Sequence, residues 1–309
     1  VTLREKLYSL LIYNTYTKRL GLFLLNQPLF VNNYFYQSLL TSYIEGVVAR
    51  YHQAPNLVVI ENTNSCNSHC SMCPHDVMKR RLGVMSDETY KKIIDECVQL
   101  KVNRVTLHGF GEPLMDKKFP ERVRYAKEKG ITYVGTSSNG ALMTKDIAME
   151  VINAGLDEIN FSLDAVSRQA YEKIRVGLPY DKVMENVDQF IKLRNELGKK
   201  KPTVIVDLIE TNYNRGESGK FVSRWKGLAD KINITTLHTW AGLYKEKAGT
   251  GKFHLLSGQI KRDPCRFLWT DMVINWDGRV SACCQDYEAQ MVVGDVTKSS
   301  LKEVWQGPT

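Results

Sequence analysis

The spacing of the apolar residues changes near residue 55. After Pro55, short runs of aliphatic and β-branched residues alternate with stretches in which apolar residues recur every three or four positions, and this alternation predicts strands separated by helices. The six predicted strands are Leu57–Glu61, Arg104–His108, Thr132–Thr136, Glu158–Leu163, Thr203–Ile209 and Ile232–His238. Repeats of this kind give parallel strands joined by right-handed crossovers. We therefore predict an α/β fold, a partial (β/α)6 barrel with its site at the carboxyl ends of the strands.

The predicted helices have recognisable ends. Ser86 is placed to cap the first of them. The others are predicted over residues 119–129, 145–153, 180–197 and 220–231. Gly130, Gly155 and Gly198 follow three of these segments, at the position where a left-handed glycine ends a helix.

The two ends of the chain differ from the barrel. Two helices rich in aromatic residues are predicted over residues 3–25 and 31–51. They could form an amphipathic pair that lies on a membrane or a cap that packs on the barrel. We favour the cap. Residues 241–263 form a connector without periodicity, and residues 264–309 are too few for a core of their own, which suggests a metal-stapled extension. The predicted regions are a helical cap (1–54), the barrel (55–240) and a linker with the metal-stapled extension (241–309).

Composition and charge narrow the class of protein. The 309 residues carry 42 Lys and Arg against 34 Asp and Glu, a net charge of +8. Such an excess suits nucleic acid, a phosphorylated substrate or a membrane surface, but we favour a mixed basic surface. The sequence has no apolar run long enough for a transmembrane helix and no recognisable secretory signal. We therefore expect a cytoplasmic protein, in which the seven cysteines bind metal rather than form disulfides. Cys97, alone in a predicted helix, is expected to pack in the core.

Three cysteines follow the first predicted strand directly: Cys66, Cys70 and Cys73. A [4Fe–4S] cluster normally takes four cysteine ligands, so three leave one iron open, as in catalytic metal sites. Alternatives are a zinc site completed by His69 or His75, a disulfide, which leaves an odd thiol, and three unrelated buried cysteines, which do not suit a polar loop.

This triplet, with Met72 directly before the third cysteine, resembles the signature of radical S-adenosylmethionine (SAM) enzymes. The resemblance extends over about residues 57–238. It implies that the open iron of a [4Fe–4S] cluster binds the amino and carboxylate groups of SAM. It also implies that one electron, from a donor such as flavodoxin or ferredoxin, cleaves SAM to methionine and a 5′-deoxyadenosyl radical that abstracts hydrogen from the substrate.

Further motifs at the ends of predicted strands resemble the same family. The segment Gly109-Phe110-Gly111-Glu112-Pro113 is similar to its Gly-Glu-Pro loop, which binds the SAM amino group. Polar residues after the third and fourth strands, and an arginine one helix further on, match positions near the cofactor. The resemblance thus implies cofactor contacts from Met72, Gly109, Gly111, Glu112, Pro113, Ser138, Asn139, Ser162, Asp164 and Arg175.

The last segment holds Cys265, Cys283 and Cys284. A hairpin with Asp277-Gly278 at its turn is predicted to bring Cys265 near the other two. The segment resembles the SPASM/twitch extension of radical SAM enzymes, which implies that these cysteines hold an auxiliary [4Fe–4S] cluster. Asp286 or another protein group is a candidate for the fourth ligand, and a zinc knuckle is the alternative.

Three functions remain open at this point. The first is radical SAM oxidation, epimerisation or rearrangement of a small polar substrate such as a sugar, cyclitol or nucleotide derivative. The second is maturation of a ribosomal peptide by the same chemistry. The third is a non-catalytic iron–sulfur or zinc protein that binds nucleic acid. We favour the first and expect a small-molecule substrate and no nucleic acid, with peripheral membrane contact as the less favoured alternative. The sequence assigns no residue to the bond-breaking step itself.

Overall fold

The computed structural model describes residues 34–237, Trp240, Leu243 and residues 265–308. The chain divides into two compact units, residues 1–55 with 250–271, and residues 56–249 with 272–309. In the first unit, helix α1 (Tyr34–Tyr51) confirms the second predicted helix and packs against the short helix Phe267–Thr270. The helix predicted over residues 3–25 lies outside the described residues. No helix in the described part of the chain is long and apolar enough to cross a membrane.

The larger unit is built on six parallel strands, which confirm the predicted partial barrel. Each predicted strand is present, with ends that differ from the prediction by a residue or two. The strands lie side by side in the order β6-β5-β4-β3-β2-β1. They are β1 (Leu57–Ile60), β2 (Arg104–Leu107), β3 (Tyr133–Ser138), β4 (Glu158–Ser162), β5 (Thr203–Glu210) and β6 (Lys231–Thr236).

Helices connect consecutive strands: α2 (Asp87–Gln99), α3 (Phe119–Glu128), α4 (Lys145–Ala154), α5 (Arg168–Ile174), α6 (Tyr180–Glu196) and α7 (Ser218–Trp225). The Ser86 hydroxyl accepts a hydrogen bond from Thr89 N at 3.0 Å, which confirms the predicted cap. Gly130, Gly155 and Gly198 have φ values of +98°, +91° and +64°, so each adopts the left-handed conformation expected after a helix.

One predicted helix extends too far, and one helix was not predicted. The helix predicted over residues 220–231 already ends at Trp225, because Gly227 has a φ of +79° and Lys231 begins β6. Helix α5 was not predicted, because its seven residues are too few to display a clear helical period.

The helix-facing side of the sheet holds the core. Val58, Ile60, Leu107 and Phe161 have no exposed surface, and Cys97 packs among such residues with none exposed either, as predicted. The alternate residues of each strand face the other way. On β4 these are Glu158, Asn160 and Ser162, all half-buried, so the inner face of the barrel is partly polar.

The C-terminal segment continues the barrel sheet. Helix α8 (Phe267–Thr270) leads into β7 (Asp271–Ile274), β8 (Arg279–Ser281) and β9 (Val292–Asp295), and α9 (Leu301–Trp305) follows. The predicted hairpin is confirmed, since β7 and β8 are antiparallel and Gly278 turns with a φ of +89°. The sheet order places β7 beside β1, where Glu61 N donates to Ile274 O at 2.8 Å, an attachment that the sequence did not predict.

Candidate active site

A pocket opens at the carboxyl ends of the barrel strands and encloses about 210 Å³. The three cysteines of the first triplet line it, together with eight of the ten residues predicted to contact the cofactor. Those eight are Met72, Gly109, Gly111, Glu112, Ser138, Asn139, Ser162 and Arg175. Pro113 and Asp164 are not among its lining residues, because Pro113 opens a buried 3-10 turn and Asp164 is fully buried behind Arg175.

The loop that carries the triplet is held by the segment that follows α5. His69 N donates to Val176 O at 2.9 Å and Ser71 N donates to Ile174 O at 2.9 Å. These bonds flank Arg175 in sequence. The cysteine loop and the predicted SAM-contacting arginine are therefore fixed to each other through the backbone.

The thiols of the triplet lie in a poorly hydrated setting. Burial raises the pKa of Cys66 to about 11 and that of Cys73 to about 12. The Cys70 sulfur is 3.0 Å from the Ser68 hydroxyl. Iron binds thiolates and compensates their negative charge, so this donor set fits an iron–sulfur cluster.

The same loop does not suit a mononuclear zinc site. Among the described residues, no three His, Cys, Asp or Glu side chains stand close enough to hold one metal ion together. The ligands of a [4Fe–4S] cluster bind different irons and do not need to converge on one ion. Of the two histidines considered for zinc, His69 Nδ1 lies 2.7 Å from Asp76 Oδ1 and His75 Nε2 lies 2.9 Å from Asn64 O, so one ring nitrogen of each is engaged within the protein.

The glycine loop after β2 packs directly against the cysteine loop. A Cβ at Gly111 would lie 2.5 Å from Thr63 O and 2.6 Å from Ser65 O, closer than real Cβ atoms come. Glu112 N donates to Ser65 O at 2.9 Å. Gly111 is therefore required so that the two loops can approach each other.

Glu112 joins this loop to the end of β3. The residue is 2 % exposed, and its carboxylate accepts hydrogen bonds from Ser138 Oγ and Asn139 N, both at 2.7 Å, and from Leu114 N at 3.2 Å. Burial raises the pKa of Glu112, although these three hydrogen bonds oppose the shift. Both oxygens are thus occupied by protein donors, and the side chain braces the pocket wall.

Arg175 is held by Asp164. The Asp164 carboxylate accepts from Arg175 Nε at 2.6 Å and from Ile209 N at 2.7 Å, and Asp164 itself has a φ of 62°. Burial alone would lower the pKa of Arg175, but the adjacent Asp164 charge raises it overall. Arg175 Nη1 lies 3.4 Å from Cys70 Sγ, so a permanent positive charge stands beside the cysteine triplet.

The pocket is also lined by residues that the sequence did not assign to it, among them His108, Phe110 and Trp240. His108 ends the inner face of β2, and the period of the strand could have identified it. Burial lowers its pKa to about 4, and its Nδ1 atom has no partner among the described residues. Trp240 donates to Met72 O at 2.7 Å, and its ring centroid lies 5.7 Å from that of Phe110. It directly precedes the aperiodic connector, so no local pattern indicated that it belongs to the pocket.

A buried ion pair lies beside the glycine loop. Arg80 donates to both carboxylate oxygens of Glu61, at 2.6 Å and 2.8 Å. Glu61 also accepts from Phe110 N at 3.1 Å and from Trp276 N at 3.2 Å, and Arg80 Nε donates to Tyr287 O at 2.6 Å. This pair therefore connects the glycine loop with the C-terminal hairpin and with the loop that holds Cys283 and Cys284.

The loop between β8 and β9 carries the adjacent cysteines, of which Cys283 is half-buried and Cys284 exposed. The Asp286 carboxylate accepts from Gln290 N at 3.0 Å and from Met291 N at 2.7 Å, so it closes this loop on itself. Cys265 belongs to the other compact unit, and its predicted approach to Cys283 and Cys284 stays a prediction.

Comparisons with known proteins agree with this site. The sequence model of the radical SAM superfamily matches residues 60–206, and that of an iron–sulfur cluster-binding (SPASM) domain matches residues 265–309. A tungsten-containing aldehyde ferredoxin oxidoreductase cofactor-modifying protein from Pyrococcus furiosus is 29 % identical over 50 % of this chain and 44 % of its own. A probable GTP 3′,8-cyclase from Saccharolobus solfataricus is 31 % identical over 57 % of this chain and 55 % of its own. The chain thus spans about half the length of these relatives.

Solved structures show the same fold. The Streptococcus suis protein SuiB bound to precursor peptide SuiA superposes with a TM-score of 0.66 at 15 % identity, over 100 % of this chain and 82 % of SuiB. BtrN in complex with AdoMet and 2-DOIA superposes with a TM-score of 0.54 at 17 % identity, over 82 % of each chain. The two matched domains bring a [4Fe–4S] cluster with SAM and an auxiliary iron–sulfur cluster as cofactors. The chain therefore contains a radical SAM domain over residues 60–206 and a SPASM-type iron–sulfur region after it, over residues 265–309.

Proposed function

We propose that this protein is an enzyme that cleaves SAM reductively and uses the resulting radical to abstract hydrogen from a C–H site of a small polar substrate. The observation that carries the proposal is the pocket in which Cys66, Cys70 and Cys73 meet Arg175 and the glycine loop. These cysteines would hold the catalytic cluster and leave one iron open for SAM. When bound, the cluster supplies the electron that divides SAM into methionine and a 5′-deoxyadenosyl radical.

The polar residues around the triplet orient SAM. Arg175 presents its guanidinium to the SAM carboxylate, and Asp164 fixes its direction through a charge-assisted bond. Both oxygens of Glu112 accept protein hydrogen bonds, so its role is to hold the glycine loop at the distance at which backbone carbonyls receive the SAM amino group. Ser138 and Asn139 act through Glu112 in the same way.

Aromatic side chains form the part of the pocket wall that contains Phe110 and Trp240, and they shield it from water. Phe110 lies 5.7 Å from Trp240 and 6.3 Å from Tyr287, measured between ring centroids. Apolar walls around a radical site limit side reactions with solvent. The Trp240 hydrogen bond to Met72 O ties this wall to the cysteine loop.

A small polar substrate is supported by the polar inner face of the barrel. The expected outcome is oxidation, epimerisation or rearrangement of a sugar, cyclitol or nucleotide derivative, and the matched proteins include one named for GTP and one solved with 2-DOIA. Maturation of a ribosomal peptide is the second candidate, because the structure of SuiB with its precursor peptide superposes over the whole chain.

The remaining assignments complete the proposal. Cys265, Cys283 and Cys284 would bind the auxiliary cluster, with a fourth ligand other than Asp286, whose oxygens brace their loop. The reducing electron would come from a flavodoxin or ferredoxin, in the cytoplasm. The helical cap would comprise residues 1–54, the radical SAM barrel residues 55–240, and the linker with the SPASM-type region residues 241–309.

The test is SAM cleavage by the full chain after anaerobic reconstitution with iron and sulfide. With dithionite and SAM, the wild type should release 5′-deoxyadenosine, and the Cys66→Ala, Cys70→Ala, Cys73→Ala triple variant should release none, because the open-iron site is lost. Cys97→Ala removes a thiol from the core, away from the pocket, and should keep the activity. Undiminished cleavage in the triple variant would contradict the proposed function.

A further inference from the structure

The inner face of the barrel continues below the pocket. His108, Ser162 and Ile209 line the pocket near the ends of β2, β4 and β5. Because side chains two residues apart on a strand point the same way, the residues two positions earlier share that face, one step deeper. They are Thr106, Asn160 and Asp207.

Several buried polar atoms of this deeper layer have no hydrogen-bond partner within the ranges that the structure describes. Eight buried side-chain atoms have none in the described part of the chain, and four of them belong to this face. Three are oxygens: Thr106 Oγ1, Asn160 Oδ1 and Asp207 Oδ1; the fourth is His108 Nδ1. Since buried polar atoms in folded proteins are normally satisfied, a cluster of unsatisfied ones indicates that something absent from the protein chain completes it.

The orientation of the two central side chains is fixed. Asn160 Nδ2 donates to Asp207 Oδ2, and because a carboxylate only accepts, the amide must turn its NH2 group toward it. Asn160 Oδ1 and Asp207 Oδ1 are thus left as two acceptors on neighbouring strands. Both need donors.

The charge of Asp207 strengthens this requirement. Asp164 has Arg175 as its ion-pair partner, whereas Asp207 forms no ion pair with any side chain that the structure describes. Burial raises the pKa of Asp207, opposed by hydrogen bonds from Asn160 and Asn233. A desolvated carboxylate is stabilised by a cation or by strong hydrogen-bond donors, and the described side chains that donate to Asp207 are the amides of Asn160 and Asn233.

We propose that Asp207 and Asn160 form the recognition site for an amino or hydroxyl group of the substrate, and that an amino group is preferred. This inference rests on the proposed function, because it places the substrate in the barrel below SAM. A carboxylate or phosphate group is excluded from this position by repulsion from Asp207. On β6, Asn233 pairs in register with Asp207 and is exposed.

Three sugars that differ in one substituent test the inference: glucosamine, glucose and glucuronate. Each is titrated calorimetrically into the reconstituted full chain with SAM and without reductant, so that binding is measured apart from turnover. We expect glucosamine to bind most tightly, glucose more weakly, and glucuronate not at all.

Two variants of the carboxylate make the test specific. Asp207→Ala should lower glucosamine affinity about tenfold or more. If that variant fails to fold, Asp207→Asn, which preserves the shape and removes the charge, should abolish the preference for glucosamine over glucose. Asp188→Ala, which removes a more exposed carboxylate on α6, is the control and should bind as the wild type does.

The outcomes separate this inference from the proposed function. Three results would overturn the substrate assignment and leave the proposed function intact. The first is equal glucosamine affinity in wild type and Asp207→Asn, and the second is glucuronate binding as tight as that of glucosamine. The third is no glucosamine binding by a preparation that cleaves SAM. Failure of the wild type to cleave SAM contradicts the proposed function instead, and the sugar series still tests whether Asp207 binds amines.

Discussion

The two cysteine loops of the larger unit are held in different ways. The loop of Cys66, Cys70 and Cys73 is tied to three other parts of the barrel: the segment after α5, the glycine loop and the end of β3. The loop of Cys283 and Cys284 is closed mainly by itself, through Asp286 and a hydrogen bond from Ala282 N to Met291 O at 2.9 Å. The first loop thus has its shape imposed by distant elements, whereas the second obtains most of its shape locally.

The difference suggests a division of labour. A site that orients SAM needs geometry fixed by rigid neighbours, and the first loop has them. The second loop connects to the barrel chiefly at one place, where Arg80 and Lys79 hold Tyr287 and Glu288. Damage at that place should therefore affect the second loop more than the first.

Arg80→Ala should have the largest effect, because it leaves the Glu61 carboxylate buried without its partner. We expect a loss of about 3–5 kcal/mol in the free energy of unfolding, measured by urea denaturation, and faster amide hydrogen exchange over residues 282–291. Lys118→Ala, which breaks the exposed pair with Asp87, is the control and should change little. Equal hydrogen exchange in Arg80→Ala and wild type would argue that the second loop does not depend on this ion pair.

Gly111→Ala should act on the first loop instead. The new Cβ would press on backbone oxygens at 2.5 Å and 2.6 Å, and because backbone cannot yield as a flexible side chain can, we expect a loss of about 1–3 kcal/mol. Iron bound to the first triplet should fall, while iron bound to the C-terminal region is retained. Gly219→Ala on α7, where no atom lies within 4 Å of the new Cβ, should be neutral or slightly stabilising. Full iron content in Gly111→Ala would refute the packing argument.

The change in SAM affinity caused by Arg175→Ala is the smallest of the three effects, although the substitution also leaves Asp164 buried without its partner and should lower the free energy of unfolding for the same reason as Arg80→Ala. The substitution should weaken SAM binding by roughly tenfold, because Arg175 provides the charge for the SAM carboxylate, and leave the iron of both regions in place. Titration calorimetry with SAM measures the affinity, and Arg168→Ala, an exposed arginine two turns earlier on the chain, is the matched control. Unchanged SAM affinity in Arg175→Ala would mean that the arginine serves only to neutralise Asp164.

The sequence could predict those features that are determined by residues close together in the chain. The strands, the Ser86 cap and the turn at Gly278 depend on periodicity and on single-residue preferences, and all three are confirmed. Glu61 and Arg80 meet across 19 positions, and Trp276 reaches Glu61 across 215, so no local pattern could indicate these contacts. Glu112 and Asp164 were predicted to contact SAM because their positions match a family motif. Their hydrogen-bond partners inside the protein are visible only in three dimensions.

The pairing of β7 with β1 also has a consequence for how the protein is made. β1 leaves the ribosome more than 200 residues before its neighbour β7, so one edge of the growing barrel sheet stays open while the rest of the sheet is translated. Pairs so distant in sequence form late, because the loop between them must first be closed. During that interval the unpaired strand edge is able to pair with other chains. Glu61 N, which in the folded protein donates to Ile274 O of β7, lies at that edge. Pairing of β7 with β1 therefore closes the edge at which the unfinished sheet could pair with another chain.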